Sequence, residues 1–157
     1  MKRKRPKNGD VFEIQISEGM LAYGQLVEGN VLGCYIFYDV ISEEHLSLQQ
    51  IANSPILMLT FTVDQKIVSG EWKIIGNATV PETVCIPEFR VDYMENGSLT
   101  CKVMKYDGTI LRETNEDEKK KLSTMKSYTP NIIENVIKAK FGYIPWDNSY
   151  DQLIYRR

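Results

Sequence analysis

The chain has 157 residues, 43% hydrophobic and 25% charged, which is enough to bury a core and close to the usual size of one domain. No run of about 18 apolar residues occurs, so no membrane-spanning helix is predicted. The net charge of −2 hides an uneven distribution. Residues 1–7 contain five Lys and Arg, whereas residues 8–65 contain eight Asp and Glu and no Lys or Arg. Such a block attracts a basic partner and repels nucleic acid, unless later lysines fold beside it and cancel its field.

The first elements are predicted to be three strands joined by short turns. In "DVFEIQIS", Phe12, Ile14 and Ile16 alternate with Val11, Glu13 and Gln15, which is typical of a half-buried antiparallel strand. The turn signals "SEG" and "EGN" separate this strand from "AYGQLV" and "VLGCYIFYDV". The pattern predicts an antiparallel meander.

A short helix and five more strands are expected next. "SEEHLSLQQIAN" predicts a helix capped by Ser42, with Glu43 and Glu44 in its first turn. The further strands are "PILMLTFTV", "GEWKIIGNA", "FRVDYM", "LTCKVMKYD" and "GTILRET", with hairpin signals at "ENGS" and "DG".

After Thr114 the pattern becomes helical. "TNEDEKKKLSTMK" starts acidic and ends basic, as a helix dipole favours, and "TPNIIENVIKAKFG" offers Thr129 as N-cap, Pro130 at the first position and Gly142 as a stop. We therefore predict an α+β protein: a β-rich twisted antiparallel sheet or open barrel, with C-terminal helices packed on it. Residues 1–7 are expected to be a basic flexible tail and residues 8–157 a single domain, β-rich over 8–113 and helical over 114–157.

The sequence offers little catalytic chemistry. His45 is the only histidine, so metal sites built from several histidines are excluded, and we expect His45 to be solvated or to cap a helix. Phosphate-binding glycine motifs are absent, and the three cysteines contain no CxxC pair. We expect no catalytic residue, no metal, no cofactor and reduced cysteines in a cytoplasmic protein, since no export signal follows the basic start.

Several motifs resemble a known family. "KRKRPKNGDVFEIQISEGMLAYGQLVEG", "GCYIFYD", "IVSGEWKIIGN" and "SYTPNIIENVIKAKFG" are similar to the immunity protein 26 family of bacterial polymorphic toxin systems. The matching positions are Gly9, Asp10, Phe12, Tyr23, Gly24, Trp72 and Gly76. The resemblance implies a non-enzymatic cytoplasmic inhibitor that binds the toxin domain of its own system.

The acidic block then suggests a contact surface for the toxin. Many delivered toxins are nucleases, whose basic clefts an inhibitor can occupy with carboxylates and aromatic anchors. A pore-forming or deaminase toxin fits the resemblance equally well. The predicted toxin-binding residues are Glu13, Glu18, Tyr23, Glu28, Tyr38, Asp39, Glu43 and Glu44. Neither a membrane nor nucleic acid is an expected partner.

Two alternatives remain open at this point. One is a small-barrel RNA-cleaving toxin of the PemK type, which the lack of Lys and Arg on the early strands disfavours. The other is a module that binds a small ligand or a peptide.

Overall fold

The computed structural model describes residues 5–156 and contains all eight predicted strands. They form antiparallel sheets, neither of which closes into a barrel within the described chain, so the α+β class with a twisted sheet is confirmed. The strands are β1 (Asp10–Ser17), β2 (Met20–Gly29), β3 (Leu32–Ser42), β4 (Ile56–Val63), β5 (Trp72–Asn77), β6 (Phe89–Glu95), β7 (Ser98–Met104) and β8 (Ile110–Glu113). The helices are α1 (Leu48–Ala52), α2 (Gln65–Ser69), α3 (Glu116–Lys121), α4 (Pro130–Lys140) and a final 3₁₀ helix, Asn148–Leu153.

The chain divides into two compact units. The first runs up to Glu82 and resumes at Ser127, and it holds a five-stranded sheet in the order β4-β3-β2-β1-β5. The second, Thr83–Lys126, holds a three-stranded sheet in the order β6-β7-β8. The predicted division into a tail at 1–7 and one domain at 8–157 stays a prediction, and residues 1–4 of that tail lie outside the described residues.

One face of the five-stranded sheet is dry and aromatic; we call it the dry face. Phe12 stacks on Trp72 with ring centroids 5.3 Å apart, and Phe37 meets both rings edge-on. All three side chains are at most 1% exposed. Aromatic pairs in these geometries add about 0.5–1.5 kcal/mol beyond the burial of their area. The predicted core positions of "DVFEIQIS" lie on this face.

Gly24 makes room for that aromatic cluster. A Cβ at this position would lie 2.6 Å from the Cε2 and Cζ atoms of the Phe12 ring. Because carbon atoms in contact are about 3.5–4.0 Å apart, a larger residue at position 24 would force the ring away from Trp72. The glycine is therefore required by packing.

Helix α4 covers the dry face as predicted. Ile133, Val136 and Ile137 are fully buried in the same core cluster, and Thr129 caps the helix by accepting a hydrogen bond from the backbone N–H of Ile132. Glu134 adds a polar contact: its Oε1 accepts from Trp72 Nε1 at 2.8 Å and pairs with Lys66 Nζ at 2.7 Å. The helix is thus fixed to β5 and α2 by both apolar and charged groups.

The opposite face is covered by the segment of residues 43–54. This segment was predicted to be a helix capped by Ser42, but the helix begins later, at Leu48, and its cap is Ser47. Ser47 and Gln50 form a reciprocal capping box, which is absent at Ser42. Ile51 is fully buried. Leu48 packs close to Gly76: a Cβ added to this glycine would lie only 2.9 Å from Leu48 Cδ1.

The outer edge of β4 is covered by late parts of the chain. Ser127 bridges to Phe61 in parallel, and the Tyr128 N–H donates to the Phe61 carbonyl at 2.9 Å. Further along, Ile154 bridges to Met58 in the antiparallel sense. These contacts satisfy backbone groups that an edge strand would otherwise expose.

The three-stranded sheet of the second unit buries much less. Among its apolar side chains only Phe89 and Val103 are buried, whereas Met94 and Leu99, paired across the β6–β7 hairpin, are each 65% exposed. Helix α3 follows with Asn115 as its cap, three acids in its first turn and three lysines in its last. The charge order matches the helix dipole, as predicted.

Candidate functional site

The second face of the five-stranded sheet carries buried polar side chains; we call it the polar face. Gln25 lies at its centre and is 1% exposed. Its amide Nε2 donates to the carbonyls of Gly9 at 3.1 Å and Ala78 at 2.8 Å, and its Oε1 accepts from the Tyr38 hydroxyl at 2.6 Å. One side chain therefore joins β3 to the chain before β1 and after β5.

Asp10 closes the same end of the sheet. Its two carboxylate oxygens accept from the backbone N–H of Lys7 and from Asn77 Nδ2, both at 2.9 Å. The residue is 6% exposed, and its hydrogen bonds join the turn before β1 to the end of β5.

The only histidine pairs with a buried carboxylate. His45 Nδ1 lies 2.7 Å from Glu13 Oε2, with the His45 side chain 78% exposed and that of Glu13 only 5% exposed. Beside them the Tyr23 hydroxyl accepts from the Leu46 N–H at 3.1 Å and donates to the Glu44 carbonyl at 3.3 Å. Burial, and the neighbouring Glu13 carboxylate to a lesser degree, raise the pKa of Tyr23. Sequence reasoning missed the Glu13–His45 pair, because only the strand register and the path of residues 43–46 bring them together.

A groove of about 540 Å³ opens next to this pair. Its lining includes Glu13, His45, Leu46, Leu48, Lys73 and Ile75. One wall is thus the segment before α1 and the other is β5, where Lys73 lies directly opposite Glu13 in the strand register. The groove combines apolar walls with a carboxylate, an imidazole and an ammonium group.

The pair does not form a hydrolytic triad. Ser47 also lines the groove, but its Oγ accepts from the Gln50 N–H as the cap of α1, and within the described chain no hydrogen bond joins it to His45. A nucleophilic serine needs its base at about 2.6–3.2 Å. Residues 5–156 also hold no cluster of three or more His, Cys, Asp or Glu side chains placed to bind a metal ion.

The acidic block is divided by the fold. Asp10, Glu13 and Asp64 are buried, and Asp39 is half-buried with a weak ion pair to Lys140 at 3.8 Å. The exposed acids are Glu18, Glu28, Glu43 and Glu44. Four of the eight acids of the block therefore reach the surface, because the fold buries Asp10, Glu13 and Asp64 and half-buries Asp39 beside Lys140.

Three of the exposed acids lie at the same end of the sheet. Glu18 is in the β1–β2 turn, and Glu43 and Glu44 follow β3. Leu21, at the start of β2, pairs with Ser42, at the end of β3. The turn that carries Glu18 is therefore adjacent to the segment that carries Glu43 and Glu44. We call Glu18, Glu43 and Glu44 the acidic end. Glu28 lies near the β2–β3 turn at the opposite end.

The predicted aromatic anchors are not on the surface. Tyr23 is fully buried and Tyr38 is 1% exposed. Burial raises the pKa of Tyr38 to about 12, as expected for a phenol held neutral inside a fold. The Tyr23 hydroxyl is held by the backbone of Glu44 and Leu46, and the Tyr38 hydroxyl donates to buried Gln25, so neither side chain is free to insert into a partner.

The three cysteines are unpaired in this structure. Cys34 is buried, and burial together with the nearby Glu28 carboxylate raises its pKa to about 12, so its thiol is inert at neutral pH. Cys85 is exposed and Cys101 is half-buried, so Cys34 alone of the three lies in the core. None of the helices in residues 5–156 has the length and apolar character that crossing a bilayer requires.

Comparison with known families now adds the deciding observation. Residues 7–95, more than half of the chain, match the family described as immunity protein 26. The chain belongs to the immunity protein 26 family. No curated protein and no solved structure matches it.

Membership identifies an immunity protein of toxin systems and a toxin as its partner. It favours an inhibitor over the RNA-cleaving alternative. The matched range contains the whole five-stranded sheet and the first strand of the second unit.

The motif residues of this immunity protein have structural roles. Phe12 and Trp72 form the dry-face stack, and Gly24 makes room for it. Tyr23, on the opposite side of the sheet from its neighbour Gly24, anchors the chain at residues 44–46. The Tyr-Gly pair thus serves both faces of one strand.

Proposed function

We propose that this protein binds and neutralises the toxin domain of its own system in the cytoplasm, using the acidic end as the contact surface for a basic, phosphate-binding cleft of a nuclease toxin. The observation that supports this best is the position of Glu18, Glu43 and Glu44, three exposed carboxylates at one end of the sheet in a member of an immunity family. Carboxylates presented in this way replace the phosphates that a nuclease cleft is built to hold.

The remaining predicted toxin-binding residues contribute indirectly. Glu13, Tyr23 and Tyr38 are buried and support the surface residues. Asp39 is half-buried and forms an ion pair with Lys140. Glu28 is exposed but lies at the other end of the sheet, so we propose that it does not take part. This makes it a matched control for charge changes at the acidic end.

The test is rescue of growth when the protein is co-expressed with the toxin domain encoded by the neighbouring gene. Glu18→Lys and Glu43→Lys, singly and together, are expected to weaken rescue and slow association, while Glu28→Lys rescues like the parent. Charge reversal of an exposed residue changes the free energy of unfolding by no more than about 0.5 kcal/mol. A loss of rescue by these variants therefore reports weaker binding and not loss of folding. Association with the parent should slow as salt rises from low to physiological ionic strength, where the screening length falls to about 8 Å.

Two results would contradict the proposal. One is a double variant that rescues and associates as fast as the parent at every salt concentration. The other is an equal loss from Glu28→Lys, which would reflect the net charge of the protein instead of a local surface.

A further inference from the structure

The two outer strands of the five-stranded sheet differ in what covers them. The outer side of β4 receives backbone contacts from residues 127–128 and 154–155. In the part of the chain that the structure describes, β5 has backbone hydrogen bonds to β1 and to no other strand. One row of N–H and C=O groups on β5 is therefore available to an added strand.

The groove of the candidate site runs beside this open edge. Lys73 and Ile75 of β5 form one wall, and His45, Leu46 and Leu48 form the other. An extended peptide that adds to a sheet edge sends alternate side chains toward each face, and pockets beside the edge select those side chains. The groove has the position of such a pocket.

The charges of the groove select a cation. Glu13 lies in the groove lining with a nearly buried carboxylate, and Glu43 and Glu44 immediately precede His45 in the chain. Within the groove lining the Glu13 carboxylate and the Lys73 ammonium group balance, and the exposed Glu43 and Glu44 add negative charge beside His45. His45 is 78% exposed, so its ring can leave the Glu13 carboxylate when a stronger cation arrives. A guanidinium or ammonium group offers more N–H donors to that carboxylate than the single ring nitrogen of His45 that faces it.

We propose that β5 is a docking edge for an extended segment of the toxin domain, which adds to the sheet as a sixth strand and places a Lys or Arg side chain in the groove, where it takes the place of His45 on Glu13. This inference rests on the proposed function, because the partner is the same toxin domain. It adds the backbone geometry of the contact and the class of side chain that is recognised. The acidic end and the docking edge are joined through Glu44 and His45, which are consecutive residues.

Hydrogen exchange of the full chain, free and in complex with the toxin domain encoded by the neighbouring gene, tests the docking edge. The amides of residues 72–77 are expected to exchange about tenfold or more slowly in the complex, because the outward N–H groups gain partners. The amides of β4 serve as the internal reference, since that edge is already covered. Protection of residues 72–77 in the free chain that increases with its concentration would show a second copy of this chain on the edge and overturn the proposal.

Substitutions in the groove give an independent measurement. Lys73→Trp fills the groove from an exposed position and should raise the Kd about tenfold or more. Asn135→Trp, the same new side chain at an exposed position of α4, which covers the opposite face of the sheet, should leave the Kd within about twofold. Glu13→Gln should weaken binding of the toxin domain, because the neutral amide cannot form an ion pair with the Lys or Arg of the toxin segment.

These measurements distinguish failure of the docking-edge proposal from failure of the proposed immunity function. If the protein rescues growth and binds the toxin, but residues 72–77 exchange unchanged and Lys73→Trp binds like the parent, the docking edge is wrong and the immunity function stands. If the parent chain neither rescues growth nor binds the toxin domain, both are wrong.

Discussion

The two faces of the five-stranded sheet are built on different principles. The dry face buries aromatic rings against α4 and depends on shape, with Gly24 leaving space for Phe12. The polar face buries hydrogen-bonding groups, with Gln25 and Tyr38 bonded to each other. Substitutions should therefore act differently on the two faces. On the dry face stability depends on the volume of the new side chain, and on the polar face it depends on whether the new side chain keeps the hydrogen bonds.

The largest effect is expected from placing a charge on the dry face. Ile137→Asp puts a carboxylate into a position that is fully buried among apolar side chains, without a partner. Such a change combines the lost burial of about 1.5–3 kcal/mol with the cost of an unpaired charge, and it should leave the chain largely unfolded. Circular dichroism during thermal unfolding measures this loss.

Ile132→Asp is the matched control, because Ile132 lies on the same helix and is 38% exposed. It adds an acid in the first turn of α4, where the helix dipole favours it, so its melt should resemble that of the parent. Equal melts for the two variants would mean that α4 does not pack on the sheet.

A smaller effect is expected where the dry face is crowded. Gly24→Ala introduces a methyl group 2.6 Å from the Phe12 ring and should lower the free energy of unfolding by about 1–3 kcal/mol. Combining it with Phe12→Leu gives the methyl group room, so the double variant should lose less than the sum of the two single losses. Urea unfolding followed by tryptophan fluorescence measures all four proteins, and strict additivity would argue against a steric cause.

A loss of similar size but different origin is expected on the polar face. Tyr38→Phe keeps the ring but leaves Gln25 Oε1 buried without its donor, which should cost about 1–3 kcal/mol, toward the lower end if water enters. Tyr143→Phe, at a tyrosine that is 43% exposed, should cost nothing measurable in the same urea experiment. A loss as large as that of Ile137→Asp would show that the two faces do not differ in the way described.

Local patterns in the sequence predicted most of the fold. The alternation around Phe12 predicted β1, and Thr129, Pro130 and Gly142 predicted the limits of α4. The helix near residue 47 was placed too early, because Ser42 and the two glutamates also form an acceptable start, and only the capping box at Ser47 and Gln50 distinguishes them. Helix α2 was not predicted, since five residues carry too little periodicity to be recognised.

The candidate site was less predictable. The sequence shows that Glu13 and Tyr23 are on strands, but not that residues 43–54 cover that face of the sheet and bury both. The pairing of Glu13 with His45 spans 32 positions and depends on that cover. Counting charges in the sequence identified the acidic residues. It could not show which of them the fold buries or pairs with other side chains.

The cover on β4 has a consequence for synthesis. β4 comes from "PILMLTFTV", the most continuous apolar stretch of the chain, and its outer edge is closed by residues 127–128 and 154–155. A ribosome makes those residues more than 60 positions after β4 has been translated. During that interval the nascent chain exposes an apolar strand with an unpaired edge, the kind of segment that aggregates with other chains and that chaperones bind. The contacts of residues 127–128 and 154–155 with β4 end this exposure once they have been made.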